Sequence, residues 1–470
     1  MVFSSTFFLL VFLPLFLAIY YLTPFRGRSM VILLGSYAFY AWWRVDFLGL
    51  FIAATLWNYW VGIRLESALG TPQAKRWLAL GIGVDLAVLA YFKYADFGIG
   101  SLNSLLTSVG SEPLPLLHLL LPIGISFYVF ESISYLADIY RKEIPATRRL
   151  DDFAAFLALY PHLIAGPVIR FRDLAAQFAH REHTPQLFAT GVARFMQGFI
   201  KKVVIADSVA TIADASFALS DPTFADAWLG ILAYTIQLYF DFSGYSDMAI
   251  GLGMMIGFRL NENFNHPYIS QSITEFWRRW HISLSTWLRD YLYIPLGGSR
   301  GGTWMTYRNL LLTMLLGGLW HGANWTFVLW GGWHGLWLAI ERALGWGKHT
   351  SFHPLSWLFT LLLVMVGWVM FRAHSVGEAF VMYEAMFSWP SLALSPDLSF
   401  SITRMSLALL VVGIVVVLWS LLPNRVPSLL RQAVLRHAMA LQLAVQVPLF
   451  ALALVKLVAS SYSPFLYFQF

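Results

Sequence analysis

The sequence has no cysteine among its 470 residues. That excludes disulfides, thiolate metal sites and a cysteine acyl-enzyme. Charge is scarce as well. Asp, Glu, Lys and Arg make up only 12% of the chain, where a soluble domain carries about 25%. So little charge cannot cover the surface of a soluble protein of this size. Internal repeats, low-complexity tracts and a separable polar domain are missing too. So is any basic-aromatic nucleic-acid module, and the net charge of +6 fits basic loops at a membrane surface. The opening MVFSSTFFLLVFLPLFLAIYYL lacks a basic start and a small-residue cleavage site. It reads as a retained first span, not a signal peptide.

What is abundant is apolar. Hydrophobic residues form 58% of the chain, with 20 Trp, 21 Tyr and 38 Phe. Trp and Tyr collect at membrane interfaces, and an apolar run near 20 residues crosses a ~30 Å hydrocarbon core. Spans are expected near 4–22, 30–43, 47–63, 77–92 and 116–139. Further ones are expected near 203–219 and 226–257, the latter as one segment or two, and near 310–340 as two short segments. The last lie near 355–371, 401–422 and 438–459. The fold class is therefore an all-α integral membrane protein, a polytopic helical bundle of about ten to twelve spans or re-entrant segments. One membrane domain over 1–470 is expected, with N-terminal spans in 1–140, a central region in 141–345 and C-terminal spans in 346–470.

Basic residues set the orientation. Arg26 and Arg28 follow the first span and nothing basic precedes it, so the N-terminus is expected outside the cytoplasm. Arg64, Lys75, Arg76, Arg141, Lys142, Arg148 and Arg149 then fall inside, as do Arg425, Arg431 and Arg436. The stretch 96–115 and the acidic stretch 373–400, with Glu378, Glu384 and Asp397, fall outside; neither contains Lys or Arg. Two inside regions, 170–202 and 259–309, are basic and aromatic, the pattern of helices lying in the interface plane.

Ionisable residues within the apolar runs are the candidates for chemistry. His321 lies in LLGGLWHGANW, about 16 Å along a span starting near Leu310 at about 1.5 Å per residue. A neutral imidazole there can take a proton from a hydroxyl; the plain alternative is a packed histidine. Glycines 317, 318, 322, 331, 332 and 335 mark the same stretch as broken helix, tolerated at membrane depth only where it faces protein or a wet cavity. His334, between Trp330 and Trp337, is either a cavity-lining imidazole or a buried histidine in an aromatic cluster. His281 stands in EFWRRWHISLSTWLRDYL beside Arg278 and Arg279, with Arg289 following. Guanidinium forks suit the phosphates of a donor such as acetyl-CoA, or lipid headgroups. Asp241 and Asp247 in QLYFDFSGYSDMAIGLG read as a cavity wall, a proton path or, more simply, helix-packing anchors. Gly297-Gly298-Ser299-Arg300-Gly301 matches G-x-S-x-G in form, but a nucleophile elbow needs a strand before it. His180 and His183 share metal-like spacing without further ligands, so no metal site is expected. The run LPIGISF at 121–127 reads as a kink in a span.

Longer motifs carry a resemblance. PIGISFYVFESISYLADIYR from Pro122, PHLIAGPVIRF from Pro161, QGFIKKVVIAD from Gln197, the block from Asn263 to Arg300 and LLGGLWHGANW from Leu315 are the main ones. MVFSS, SYAFYAWW and the closing PFLYFQF add to them. With these the chain resembles the membrane-bound O-acyltransferase family, within it the branch that serves O-acetylation of bacterial exopolysaccharides. The resemblance implies a helical bundle around a central tunnel. It matches His321 to the family's active-site histidine and His281 to its second polar position, which makes both catalytic. It also implies acetyl transfer from a cytoplasmic donor, acetyl-CoA, across the inner membrane, with no permanently bound cofactor. Periplasmic acetyltransferases and the polysaccharide secretion machinery would be partners, and membrane lipid the surroundings. Alginate is the first polymer implied, cellulose the near alternative. A non-catalytic acyl transporter or a scaffold of the secretion complex is the competing reading.

Overall fold

Apolar side chains at helical spacing, with Pro at several first turns and Gly at several ends, fold the described chain into helices. The computed structural model describes residues 1–346, 351–388, 392–421, 428–459 and 465–466, with backbone alone at 428–441. Arg425, the side chains of Arg431 and Arg436, and most of the closing PFLYFQF lie outside the described residues. No strand occurs among the described residues.

The helices are α1 Leu13–Leu22, α2 Arg28–Ala41, α3 Asp46–Ser67, α4 Pro72–Leu89, α5 Ala95–Ser108, α6 Ile125–Tyr140, α7 Leu150–Ala158, α8 Tyr160–Leu163, α9 Phe171–Ala179 and α10 Pro185–Ile200. They continue as α11 Asp207–Phe217, α12 Phe224–Met255, α13 Ile273–Arg279, α14 Ile282–Leu288, α15 Gly302–His321, α16 Trp325–Leu344 and α17 Pro354–Arg372. The last are α18 Val376–Phe387, α19 Pro396–Ser401, α20 Arg404–Trp419 and α21 Ser428–Ala459.

Among the described residues, four helical stretches are long and apolar enough to cross a membrane: Asp46–Ser67, Pro72–Ser108, Pro354–Arg372 and Gln442–Ala459. Phe8–Leu22 and Arg404–Trp419 are apolar but shorter. Three expectations change or narrow in detail. The run at 226–257, expected as one segment or two, is one helix of 32 residues, Phe224–Met255. The run at 116–139 is helical only from Ile125, because Gly124 takes a left-handed φ of 77° and starts the helix there. The run at 77–92 begins earlier, at Pro72, and a π turn at Ala90–Tyr94 carries it on into α5. By contrast, 310–340 is two helices, α15 and α16, broken at Gly322–Asn324 as its glycines suggested.

The described residues group into two units. The first comprises Met1–Phe188 and Leu252–Asn261. Its core gathers Phe3, Phe8, Phe16 and Phe39 around the ring of Tyr160 at the start of α8. His183 is there hydrogen-bonded to Tyr20 at 2.9 Å and to Arg28 at 3.1 Å. The second unit comprises Ala189–Gly251 and Glu262–Phe470, and it holds every residue of the site below.

Two groups of charged side chains inside the second unit are ion-paired. Lys202 Nζ lies 2.6 Å from Asp241 and 2.7 Å from Asp207. Asp241 also accepts the backbone N–H of Leu466 at 2.9 Å. Asp247 meets Arg194 and Lys201, each at 2.7 Å. The two aspartates are thus ion-paired anchors, although Asp247 also lines a cavity of about 220 Å³ with Arg194 and Lys201. Gly297–Gly301 is a turn-rich loop leading into α15, with no strand before it.

Candidate active site

Glycine lets α15 and α16 touch backbone to backbone. A β-carbon at Gly318 would collide with the carbonyl of Phe327, and one at Gly331 with the carbonyl of Met314. The two helices therefore form a close hairpin. Its turn is set by Gly322 in extended backbone and by Asn324, whose Oδ1 accepts the N–H of Thr326 at 3.1 Å. An N-cap of this kind contributes about 1 kcal/mol.

His321 is the last residue of α15 and is buried at 5% exposure. Because α15 begins at Gly302, His321 lies some 19 residues along it, roughly 29 Å at 1.5 Å per residue. The earlier figure of about 16 Å assumed a start at Leu310. What marks His321 is its burial at the hairpin tip. Its ring is edge-on to Trp330 at 5.2 Å and to Phe371 of α17 at 5.3 Å.

The segment between α12 and α15 folds His281 onto this ring. Helix α13 is capped by Ser272, whose hydroxyl accepts the N–H of Glu275 at 3.0 Å, while Glu275 accepts the N–H of Gln271 at 2.9 Å. Glu341 of α16 also holds this start, accepting the N–H and hydroxyl of Thr274 at 2.9 and 2.8 Å. Helix α13 ends at Arg279. His281 then turns the chain into α14 with a left-handed φ of 43°, a conformation costing a non-glycine residue on the order of 1 kcal/mol. The strain is held by the side chain's contacts. His281 is fully buried, its Nδ1 is 3.0 Å from Asn263 Oδ1, and its ring centroid is 6.3 Å from that of His321. Two histidines 40 positions apart are thereby neighbours. Burial, with no partner for Nε2 among the described residues, holds the pKa of His281 well down, so the ring is neutral.

His334 belongs to the aromatic wall. Trp277 Nε1 donates to its Nδ1 at 3.3 Å. Its ring stacks on Phe276 at 6.1 Å and meets Trp330 edge-on at 5.1 Å. A β-carbon at Gly367 would lie 3.2 Å from its Nε2, so that edge faces α17. Of the two readings of His334, the structure favours the aromatic cluster.

The three arginines divide. Arg279 pairs with Glu275 at 2.8 Å, and exposed Arg289 with Asp290 at 2.7 Å. Arg278 is exposed and has no carboxylate partner among the described residues. It lines two cavities at once. One, about 990 Å³, is polar and shared with Arg279, Arg342 and Glu341. The other, about 500 Å³, is lined by Trp277, Leu288, Met314 and Leu338, with Arg289 also on its wall. A cationic group thus stands where a polar basin meets an apolar slot. A third pocket of about 250 Å³ lies at the hairpin tip, between Gly322–Asn324 and Phe371–His374.

A buried histidine pair beside a cation-marked apolar slot suits acyl transfer. The comparisons with known proteins agree. Residues 32–383 match the description "MBOAT, membrane-bound O-acyltransferase family". The chain belongs to the membrane-bound O-acyltransferase family. It is 60% identical to a probable alginate O-acetylase AlgI of Azotobacter vinelandii, over all of both chains. It is 36% identical to a peptidoglycan O-acetyltransferase of Helicobacter pylori, over 82% of this chain and 80% of that one. It is 27% identical to a teichoic acid D-alanyltransferase of Bacillus subtilis, over 52% of this chain and 65% of that one. The chain is therefore an acyltransferase of a membrane-protein family.

Sequence reading missed Asn263 and Glu341. Asn263 sits in NENFNHPY, where three asparagines crowd before a proline; that crowding was the available signal, but a loop of polar residues has many ordinary explanations. Glu341 follows a run of apolar and glycine residues with no partner nearby in sequence. Its partner, the start of α13, is 67 positions away.

Proposed function

We propose that this protein moves acetyl groups from a cytoplasmic donor, acetyl-CoA, for O-acetylation of a secreted exopolysaccharide, alginate. The meeting of His281 and His321 at 6.3 Å, inside an aromatic wall beside the Arg278 slot, carries the reading. Arg278 and Arg279 would hold donor phosphates, and the apolar slot the arm that bears the thioester. One histidine takes the proton of the attacking hydroxyl. Its oxygen bonds the acetyl carbon, the C–S bond breaks, and the thiolate takes up a proton. The name of the Azotobacter relative supports alginate as polymer. The same reading places about ten to twelve segments around a tunnel in the inner membrane, as one membrane domain. It puts the N-terminus outside the cytoplasm and periplasmic acetyltransferases downstream. Impermeant thiol labelling of single cysteines checks the topology in a background free of cysteine. Sites in 373–400 should label in intact cells and sites in 259–309 should not; equal labelling would refute the orientation. The test of function is His321→Ala in cells that make alginate. Loss of polymer acetate at unchanged protein level and partner binding supports catalysis. Unchanged acetate would leave the scaffold reading.

A further inference from the structure

We infer that Asn263 is a positioning residue that fixes the tautomer of His281, leaving its Nε2 lone pair open to accept a proton. The inference rests on reading His281 and His321 as the reactive pair. Asn263 is buried at 1% exposure in the loop after α12. Its Oδ1 receives three groups: the backbone N–H of Ser283 at 3.3 Å, the Ser283 hydroxyl at 2.8 Å and His281 Nδ1 at 3.0 Å. Its Nδ2 donates to Ser246 Oγ of α12 at 3.1 Å. The backbone N–H can only donate, so the amide atom facing it must be the oxygen; a flipped amide would set donor against donor. With Oδ1 fixed as acceptor, His281 Nδ1 must carry the hydrogen. A neutral imidazole has one N–H, so Nε2 keeps its lone pair, and it has no partner among the described residues.

The contrast with His334 shows that the polarity is built by neighbours. The Trp277 N–H, which can only donate, meets His334 Nδ1 and makes that nitrogen the acceptor. The hydrogen of His334 then sits on Nε2, against Gly367. Two buried histidines of one cluster hold opposite tautomers, and of the two only His281 keeps its lone pair on Nε2. The left-handed backbone at His281 serves the same end, turning the ring back onto the Asn263 loop. The N–H of Ile282 also bonds the carbonyl of Asn263 at 2.9 Å, so loop and ring are tied as one piece.

Two measurements test this, both on the full chain. The first is the rate of acetyl incorporation into polymer in cells carrying Asn263→Leu or Asn263→Asp. Leucine cannot hold Nδ1–H, and a loss of about 10² or more is expected, the scale of a displaced general base. Aspartate presents the same acceptor atom and should stay within about tenfold of the native rate, since a carboxylate holds the same tautomer in hydrolase triads. A native rate in Asn263→Leu, or an Asn263→Asp variant as slow as Asn263→Leu at equal abundance, overturns the inference. The second needs neither activity nor a variant at Asn263. Nitrogen NMR of the purified chain carrying ¹⁵N-histidine, with the His281 signals assigned by their loss in His281→Gln, should show hydrogen on Nδ1. Hydrogen on Nε2 overturns the inference, even where Asn263→Leu fails to accumulate. Because this spectrum ignores acetylation, a failed function reading and a failed tautomer remain separate results.

Discussion

Two buried polar clusters of the second unit make an instructive contrast. Around Lys202, every charge has an answer: Asp241 at 2.6 Å and Asp207 at 2.7 Å, with Asp241 further tied to the backbone of Leu466. Around His281 there is no charge, and the one strong hydrogen bond goes to the nitrogen that faces Asn263. A satisfied network holds structure together. A buried polar atom left open in a native fold calls for an explanation, and reactivity is one of the recognised kinds. The two clusters come from motifs of similar density, QGFIKKVVIAD with FDFSGYSD on one side and RRWHIS with LWHGANW on the other. Pairing separates them: the first cluster closes its charges on one another, and the second leaves His281 Nε2 open.

The sharpest way to break the contrast is to remove the bases. His321→Gln and His281→Gln keep polarity but remove the imidazole. Each should lower acetyl transfer by about 10²–10⁴, with abundance and insertion unchanged. Polymer acetate per cell measures it, and a normal value for both variants would end the catalytic reading of this pair.

The paired cluster should fail in the other currency, stability. Lys202 and Asp241 are at most 3% exposed. Removing one partner from a buried pair costs about 3–5 kcal/mol. Asp241→Ala should therefore unfold at much lower temperature in detergent and accumulate poorly. Replacing both partners by apolar residues of similar size should recover much of that loss, since such exchanges are often neutral. An Asp241→Ala chain of native stability with lost transfer would reverse the assignment and restore the proton-path reading.

Arg278 tests the edge of the unpaired cluster. It lacks a carboxylate partner among the described residues and faces both cavities. Hydrogen bonds to charged groups contribute about 1.5–3 kcal/mol, so Arg278→Ala should raise the donor KM by about tenfold to a hundredfold with kcat less changed. Arg279 and Arg289 are already engaged by Glu275 and Asp290 and should move KM less. A pure kcat loss in Arg278→Ala at saturating donor would contradict the donor role.

How much was legible in the sequence follows from the range of each signal. Apolar runs and glycine breaks are local, so the helical class and the split of 310–340 at Gly322–Asn324 were readable. The start of α15 was not, because GGTWMTYRN carries polar residues that a span search discards, although they are helical from Gly302. The nearness of His281 to His321 came from resemblance and not from spacing, since a separation of 40 positions fixes no distance. Asn263 and Glu341 act through bonds that cross 18 and 67 positions, and no local pattern encodes such a pairing. His334 was ambiguous because a Trp-flanked histidine looks the same in sequence whichever of its nitrogens is engaged.

That ambiguity gives the smallest and most discriminating experiment. His334→Phe fills the same volume and keeps the stacking on Phe276 at 6.1 Å. It removes the acceptor for Trp277 Nε1–H, now buried without a partner. A buried donor left unsatisfied costs about 1–3 kcal/mol, so the variant should melt a few degrees lower. Transfer should stay within a few-fold of native, because His334 Nε2 faces α17 at Gly367 and not His281 or His321. The same substitution at His281 should do the opposite to function, removing most of the transfer that His334→Phe keeps. If His334→Phe stops transfer at normal abundance, the aromatic wall is itself part of the chemistry, and the division drawn between the two buried histidines does not hold.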